Sequence, residues 1–503
     1  MYLSIKNILI TALLFLLLIS CDEHDKPTEV DFPALNSTPE AYEQLAGDSF
    51  RLWFYGTQYV YPAMALSALA DENTSWYGNW GLGPFSKEPK GEFLNSAESE
   101  YYDVVNLPYS AMYDAIGAVN SVLSALDNGV DLGKSPGGND NNIRAKAFSH
   151  FIKGLSYGFL ANMFDKALIK KDGDEFNFLS SPEVLEYALS SLNKTIEISE
   201  RYNFIIPFEW IPAEKPIDNL KFSKIANSYA ARFIAGNPRT VDMFSKVDWN
   251  RVRQYASNGI SEDFILIMDR DTWTDWFKYF AVLPDWMRVD YRTIGYNDTS
   301  GAYTEWLAQE PENRKPFIIK SPDKRITQNN FTEPGKYFTY SAPSPFSQYW
   351  GSYYWHHRYY DYYLNGGIGA TSLFVSEENA LLLAEAEYQM GNFNGAAQII
   401  NKTRVDIGEM KPLTGSEPDL FEQLKYEMKI ETFNTASGIH YFYKRGWGEL
   451  MQYSPLQFPV PATKLKLYNI EPYSFGGEDG DFSAPTPVAK KIVPDLSNAT
   501  KFR

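Results

Sequence analysis

The chain contains a single cysteine, Cys21, so no disulfide can form within it. It has only five histidines, no His-Glu-x-x-His sequence and no cysteine–histidine cluster, which argues against a zinc site. Neither a P-loop nor a Gly-x-Gly-x-x-Gly motif occurs, so the common nucleotide-binding signatures are excluded. Basic residues are in the minority. The net charge of −17 and the pI of about 4.9 argue against nucleic acid as a partner.

Long apolar runs are also missing beyond the N-terminus, so no transmembrane helix is predicted there. At the N-terminus, Lys6 precedes the uncharged run ILITALLFLLLI (8–19), which has the length of a signal-peptide core. The run ends next to Ser20-Cys21, and this arrangement resembles the lipobox of bacterial lipoproteins. The resemblance implies that 1–20 is a signal peptide and that acylated Cys21 is embedded in outer-membrane lipid. An ordinary secretory signal is the alternative.

The segment 21–37 is acidic and contains proline, which predicts a flexible tether. Acidic residues directly after the lipidated cysteine also resemble the surface-export signal of Bacteroidetes lipoproteins. We therefore expect a lipid-anchored protein that faces the cell exterior.

Helical periodicity dominates 38–235 and 376–450 and predicts a mainly α protein. The clearest amphipathic helix is predicted over 143–169, and Ser181-Pro182 marks the start of the next one, with Ser181 as N-cap. Helix pairs of tetratricopeptide size are indicated, with faint repetition. Between about 248 and 370, aromatic residues, Asn, Gly and Pro without clear periodicity predict long loops, short helices and a few short strands.

Sequence motifs in the C-terminal half resemble those of a known family. The segment LLLAEAEYQMGNFNGAAQIINKTRVDIG (381–408) is similar to its Ala-Glu-Ala helix, Gly-Asn turn and Asn-x-x-Arg sequence. Asn401, Arg404 and Gly408 fill the family's positions, whereas Asp406 stands where a second Arg is frequent.

Two later segments add to the resemblance. KYEMKIETFNTASGIHYFYKRGWGEL (425–450) loosely matches the family's Glu-Arg-rich helix and Leu-x-Arg-Trp sequence, and FPVPATKL (458–465) is close to its Pro-Ile-Pro segment. The loose matches in the first are Lys429, Glu431 and Phe433, and Gly446 is inserted between Arg445 and Trp447.

Together with the lipobox, these segments make the chain similar to the SusD/RagB-like nutrient-binding lipoproteins of Bacteroidetes, as a divergent member. The resemblance implies one SusD-like domain over 38–503, in which tetratricopeptide-like helix pairs pack against a loop-rich lobe. It also implies a TonB-dependent, SusC-like outer-membrane transporter as the partner.

Aromatic residues make up 16% of the chain, including 12 Trp and 35 Tyr. Ten of the nineteen residues in PFSQYWGSYYWHHRYYDYY (345–363) are Phe, Tyr or Trp. Aromatic rings stack on the apolar faces of sugar rings, whereas a core or a partner interface is the competing interpretation of any single ring. The ligand-binding candidates in this stretch are Trp350, Tyr353, Trp355, Arg358 and Tyr359.

Two further aromatic clusters are candidates for ligand contact. Trp76 and Trp80 lie in a polar Gly/Asn loop, where exposed tryptophans need a partner that covers them. Trp273 and Trp276 would share one face if their segment (272–286) is helical, a pattern that fits core packing equally well.

Signs of catalysis are weak. The Gly-x-Ser-x-Gly match at Ser156 lies inside a predicted helix rather than at a strand-to-helix turn. Glu385 and Glu387 are two residues apart on a predicted helix and therefore face different directions. The polar run 139–142 suits a turn better than a calcium site. We predict neither an enzyme nor a cofactor, although a distant carboxylate pair leaves a lipid-anchored glycoside hydrolase open.

The predicted function is capture of a glycan for delivery to the transporter. The same architecture binding a peptide or another non-sugar nutrient is the alternative. A structural envelope protein whose aromatic rings pack against the transporter is a further one.

Overall fold

A computed structural model of the chain describes residues 38–75, 77–170, 176–283, 286–328, 330–341, 351–477 and 491–492. Within these ranges no helix is both long enough and apolar enough to cross a lipid bilayer. The predicted signal peptide, the tether and Cys21 lie outside the described residues.

Helices form most of the described structure, and the long ones lie in the two regions where helical periodicity predicts them. Their bounds are α1 Pro39–Gln58, α2 Val60–Leu69, α3 Leu82–Ser86, α4 Asp103–Asp127, α5 Asn141–Met163, α6 Ser181–Arg201, α7 Asn219–Gly236, α8 Val241–Phe244, α9 Trp249–Ser257, α10 Trp276–Ala281, α11 Tyr291–Ile294, α12 Ala302–Leu307, α13 Tyr360–Leu364, α14 Ser376–Gln389, α15 Phe393–Asp406, α16 Leu420–Glu431, α17 Ile439–Trp447 and α18 Ala462–Leu467.

The strands are short and pair only antiparallel in the described residues. Strands β1 with β7, β4 with β5, β6 with β10 and β8 with β9 form two-stranded sheets, and β11, β3 and β2 form a three-stranded one. Their bounds are β1 Asn73–Thr74, β2 Lys166–Lys170, β3 Phe176–Ser180, β4 Ile205–Ile206, β5 Ile217–Asp218, β6 Phe264–Met268, β7 Arg288–Val289, β8 Phe338–Tyr340, β9 Tyr354–His356, β10 Gly369–Phe374 and β11 Lys491–Ile492.

Consecutive long helices pack against one another as pairs. α4 packs on α1 and α5, α6 packs on α5 and α7, and α14 packs on α15. Small residues permit the close approach of these helices: a Cβ at Gly154 would lie 2.6 Å from Leu192, and one at Gly158 would lie 2.2 Å from Phe233. The prediction of a mainly α fold with helix pairs against a loop-rich lobe is confirmed.

The helix predicted over 143–169 is shorter than expected. α5 ends at Met163, and Lys166–Lys170 forms strand β2 instead, because its backbone pairs with β3. The next helix begins where predicted, but its N-cap is Ser180 rather than Ser181. Ser180 forms a capping box with Glu183, whose carboxylate accepts hydrogen bonds from the backbone N–H (2.9 Å) and hydroxyl (2.7 Å) of Ser180.

The region 248–370 has the irregular character that its sequence predicts, and a second, smaller hydrophobic core lies partly within it. This core joins residues of the irregular region to residues of α16 and its neighbours. Its buried members are Val289, Tyr291, Ile294, Ile319, Ile326, Phe338, Tyr354, Met410, Tyr426, Ile430 and Phe433.

The residues that carry the family resemblance have structural roles. The Asn401 side chain exchanges two hydrogen bonds of 2.8 Å with the backbone of Leu413. Arg404 forms a 3.5 Å ion pair with Glu427 on α16. A Cβ at Gly408 would lie 2.8 Å from the Arg404 carbonyl oxygen, so glycine is needed there for packing. Arg404 thus joins α15 to α16, while Asn401 and Gly408 fix the chain that follows α15.

The later motif residues also hold elements together. The guanidinium of Arg445 donates to carbonyl oxygens at the C-terminal ends of α5 (2.6 Å) and α7 (2.8 Å), which stabilises both helix ends. Phe458 is fully buried, and its backbone forms 2.9 Å hydrogen bonds with Met163, the last residue of α5, and with Asp165 just after it.

Candidate functional site

Nine half-buried aromatic rings form a continuous strip, which we call the aromatic strip. Its members come from the three sequence clusters described above and from their neighbours. They are Tyr77, Trp80, Trp286, Phe280, Trp276, Tyr279, Tyr363, Tyr360 and Trp355.

The first half of the strip centres on Phe280. The rings of Phe280 and Trp286 are stacked at 5.4 Å with an interplanar angle of 11°, and Trp80 lies 5.0 Å from each of them. Tyr77 packs against Trp286 at 5.5 Å, and Trp276 stacks on Phe280 at 5.6 Å. Each of these residues keeps part of its surface exposed, as a stacking platform requires.

The second half continues from Trp276 to Trp355. Trp276 contacts Tyr279 edge-on at 5.5 Å, and Tyr279 lies 5.0 Å from Tyr363. Tyr363 and Tyr360 are stacked at 5.8 Å, and Tyr360 meets Trp355 edge-on at 5.1 Å. The tyrosines add hydroxyl groups, so this half combines apolar faces with hydrogen-bonding capacity.

Helix α10 places the middle of the strip. Trp276, Tyr279 and Phe280 occupy positions i, i+3 and i+4, which lie on one face of a helix. Asp275 caps this helix: its carboxylate accepts from the Lys278 backbone N–H (2.9 Å) and from the Lys278 ammonium (2.6 Å). The Asp275 N–H donates to the Tyr362 hydroxyl at 3.0 Å, which ties α10 to α13.

Arg270 supplies positive charge beside the rings. Its guanidinium carbon lies 4.9 Å from the ring centre of Trp276 and 5.2 Å from that of Tyr279. The same guanidinium donates to the carbonyl oxygen of Gly366. The strip therefore presents a cation next to its central rings.

The structure separates the predicted site residues. Trp80, Trp276 and Trp355 lie in the strip. Trp273 is only 6% exposed and packs against the core rings of Phe50 and Phe54, so it matches the core interpretation. The condition for a face shared by Trp273 and Trp276 is not met, because α10 begins at Trp276 and Trp273 lies before it.

The remaining candidates lie elsewhere. Tyr359 is buried, and its hydroxyl is 3.1 Å from that of Ser372. Tyr353 packs on Tyr340 at 5.7 Å, outside the strip. Arg358 donates to the Glu431 carbonyl oxygen at 3.0 Å, and its guanidinium lies over the ring of Tyr337. Trp76 and Trp350 lie outside the described residues.

Six strip residues were not singled out from the sequence, although all fall within or beside the three clusters. They are Tyr77, Tyr279, Phe280, Trp286, Tyr360 and Tyr363. For Tyr279 and Phe280, the i, i+3, i+4 spacing from Trp276 was an available signal once Asp275 was taken as an N-cap.

The residues considered for catalysis are buried in a helix or take part in structural contacts. Ser156 is fully buried inside α5. No group of three or more His, Cys, Asp or Glu residues suited to a metal ion occurs in the part of the chain that the structure describes. The polar run 139–142 leads into α5 rather than forming a separate turn. Asp140 is the N-cap and accepts from the Asn142 N–H at 2.8 Å, and Asn141 and Asn142 are the first residues of the helix.

Glu385 and Glu387 are engaged separately. Trp447 Nε1 donates to the buried carboxylate of Glu385 at 2.8 Å. Glu387 accepts 2.6 Å hydrogen bonds from both Arg253 and Asn392. Burial raises the pKa of Glu385 to about 7, while the pKa of Glu387 is lowered: its burial acts in the opposite direction but is outweighed by these two hydrogen bonds.

We expect the Glu385→Gln variant to remove part of the pH dependence of stability. Between the unfolded pKa of 4.5 and the folded pKa of about 7, the native state binds more protons, so the free energy of unfolding falls as pH rises. Glutamine keeps an acceptor for Trp447 but carries no charge. The variant should match the wild type near pH 4.5 and exceed its free energy of unfolding by about 1–3 kcal/mol at pH 8.

Urea unfolding at both pH values measures this difference. Glu72, whose pKa burial also raises to about 7, titrates in the same window but is unchanged in the variant. Equal urea-unfolding curves for the variant and the wild type at pH 8 would show that ionisation of Glu385 does not destabilise the folded state.

Comparison with known proteins bears on the fold. No protein-family model matches the chain, and no curated protein sequence does. Solved structures do match. A SusD superfamily protein from Bacteroides vulgatus ATCC 8482 shares 14% sequence identity at a TM-score of 0.55, over 85% of this chain and 96% of that one. Another from Bacteroides thetaiotaomicron VPI-5482 shares 13% identity at a TM-score of 0.54, over 90% of this chain and 96% of that one.

A SusD-like carbohydrate-binding protein from Bacteroides fragilis NCTC 9343 also matches, with 14% identity and a TM-score of 0.50 over 82% of this chain and 86% of that one. The protein is thus a mainly α protein of helix pairs that carries an aromatic strip. Its fold is the SusD-like fold, as the sequence motifs predict, at the low identity expected of a divergent chain.

Proposed function

We propose that the protein is a SusD-like nutrient-binding protein that captures a glycan on the aromatic strip without breaking bonds. The observation that carries the proposal is the convergence of nine half-buried rings from three distant segments onto one continuous strip. Flat apolar ring faces with interspersed hydroxyls are suited to sugars, whose ring C–H groups form apolar faces and whose hydroxyls form polar edges. The carbohydrate-binding neighbour of the same fold supports this choice of ligand.

The chemistry of the strip supports capture rather than catalysis. Stacking and a few polar contacts give modest affinity, so we expect dissociation constants in the micromolar range or weaker. Ready release suits delivery to a second protein. We further propose a TonB-dependent, SusC-like transporter as that second protein, and acylated Cys21 as the anchor in the outer membrane, both on the basis of the sequence resemblance.

Titration with a panel of plant, host and microbial oligosaccharides tests the proposal, using the chain without residues 1–21. Heat and tryptophan fluorescence report binding, and chromatography of the incubated sugar reports turnover. Saturable binding to one glycan class with no product supports capture. A product would establish a hydrolase instead. Binding only to peptides in a parallel panel would replace the glycan as the ligand.

We expect Trp80→Ala and Trp355→Ala, one from each half of the strip, each to weaken glycan binding by about tenfold while the chain stays folded. Trp306→Ala is the matched control, because this half-buried tryptophan lies outside the strip, near the guanidinium groups of Arg292 and Arg314. Calorimetric titration measures the affinities, and circular dichroism checks the fold. Full affinity in both strip variants combined with a loss in Trp306→Ala would place the site elsewhere.

A further inference from the structure

Lys90 is a fully buried lysine with a complete set of hydrogen-bond partners. Its ammonium donates to the Asp71 carboxylate (2.7 Å) and to the carbonyl oxygens of Ala68 (3.0 Å) and Phe85 (2.5 Å). An ammonium has three donors, so all of them are used. A buried ammonium without these partners would be strongly destabilising, so the side chain is held in this one arrangement.

These three oxygens lie at the two ends of one loop. Ala68 and Asp71 stand where α2 ends, and Phe85 belongs to α3. The chain between them carries Tyr77 and Trp80 of the aromatic strip. Lys90 therefore closes the loop that presents these two rings, although its own side chain is not exposed and cannot touch a ligand.

Asp71 connects the same clamp to the segment that follows Trp286. The Asp71 carbonyl oxygen accepts from the Thr293 hydroxyl at 3.0 Å, and β1, which begins two residues after Asp71, pairs with β7. The backbone of Asp71 has a φ of +48°, a left-handed conformation that a non-glycine residue keeps only when its surroundings hold it.

The charge balance around Asp71 fits a clamp that is ionised. Burial alone would raise the pKa of the Asp71 carboxyl, but nearby Lys90, Arg292 and Lys444 outweigh it and lower the pKa below its ordinary value. Asp71 and Lys90 are thus held as a buried ion pair, and removing Lys90 takes the direct ion-pair partner away from the buried Asp71 carboxylate.

We propose that Lys90, through Asp71, is a positioning residue for the binding site: it sets the arrangement of Trp80 against Trp286 without contacting the ligand. This inference rests on the proposed function, because only a ligand-binding strip makes Lys90 a positioning residue for binding. Its first test needs no ligand. The consequence is that residues with no exposed surface contribute to the geometry of the strip.

The first test uses the chain labelled with 5-fluorotryptophan and fluorine NMR. Trp80→Phe, Trp286→Phe and Trp249→Phe assign three resonances. In Lys90→Met we expect the Trp80 and Trp286 resonances to shift or broaden, while that of Trp249, which packs on Phe244 at 5.1 Å, stays in place. Unchanged Trp80 and Trp286 resonances would overturn the proposal.

Asp71→Asn is the milder variant, since asparagine keeps an acceptor for Lys90 but loses the charge. It should change the same two resonances by a smaller amount, and it decides the matter if Lys90→Met does not fold. Arg232→Met is the control for general destabilisation, because it breaks a buried ion pair with Glu378 at 2.6 Å that lies outside the strip. Equal spectral changes in Arg232→Met would show that the effect is not specific to the clamp.

The second test measures affinity for the glycan found in the panel, well below the melting temperature. Lys90→Met should weaken binding by about tenfold, comparable to the loss of one stacked ring, whereas Arg232→Met should retain wild-type affinity. Shifted resonances with unchanged affinity would show that the clamp positions rings that the ligand does not use. Absence of any ligand for the wild type would count against the proposed function and leave the first test intact.

Discussion

Replacing Arg325 with methionine is expected to lower the free energy of unfolding by about 3–5 kcal/mol. Arg325 has no exposed side-chain surface, and its guanidinium binds three carboxylates that are equally buried. The distances are 2.7 Å to Asp323, 2.6 Å to Glu427 and 2.7 Å to Glu431. Methionine fills much of the volume but leaves these charges without their shared cation, so the loss reflects uncompensated charge rather than a cavity.

Urea unfolding gives the measurement, as a shift of the midpoint at constant slope. Arg251→Met is the matched control, because Arg251 pairs with Glu186 at 2.9 Å on the surface, where such pairs contribute about 0–1 kcal/mol. Arg325→Lys should be intermediate, since it keeps the charge but not the planar array of donors. A loss in Arg325→Met no larger than in Arg251→Met would mean that the carboxylates are protonated or rearrange cheaply.

This ion cluster shows how far sequence motifs reach into the structure. Arg404 and Glu431 were picked out by the family resemblance, and both belong to the cluster or border it. Arg325 and Asp323 were not, because they lie about a hundred residues earlier in an irregular region without periodicity. A local sequence pattern identifies those members of the ion cluster that lie on helices. The members that lie in irregular segments are brought to the cluster only by tertiary packing.

The same division applies to the secondary structure. The long helices can be predicted from periodicity because each must bury one apolar face. The structure has helices α4, α6, α7 and α14 in the regions where that periodicity occurs. It failed at β2, where Ala167, Leu168 and Ile169 continue the apolar composition of α5 but pair with β3. A short apolar run fits a helix and a buried strand equally well, so composition alone does not place the boundary.

The aromatic strip could be predicted in parts but not as a whole. Each of its three segments was recognisable from aromatic density, and nothing in the sequence indicates that Trp80, Trp276 and Trp355 belong together. Their places in one strip depend on the β1–β7 pairing and on the link between α10 and α13. Which rings face solvent depends on where α10 begins, and one capping residue, Asp275, decides that.

Two tryptophans three residues apart should therefore respond to truncation in opposite ways. Trp273→Ala is expected to lower the free energy of unfolding by about 3–5 kcal/mol, because its ring is 6% exposed and lies 5.8 Å from Phe50 and 5.4 Å from Phe54. Trp276→Ala removes a half-buried ring and should cost about 1–2 kcal/mol.

Affinity should show the reverse order. Trp276→Ala deletes a ring in the middle of the strip that contacts both Phe280 and Tyr279, so glycan binding should weaken by about tenfold or more. Trp273→Ala should bind with wild-type affinity under conditions where it is folded, because the ring does not belong to the strip. Urea unfolding and calorimetric titration of both variants measure the two effects separately. Loss of affinity in folded Trp273→Ala with none in Trp276→Ala would mean that the ligand enters the core side of this segment, and the aromatic strip would then be a packing surface.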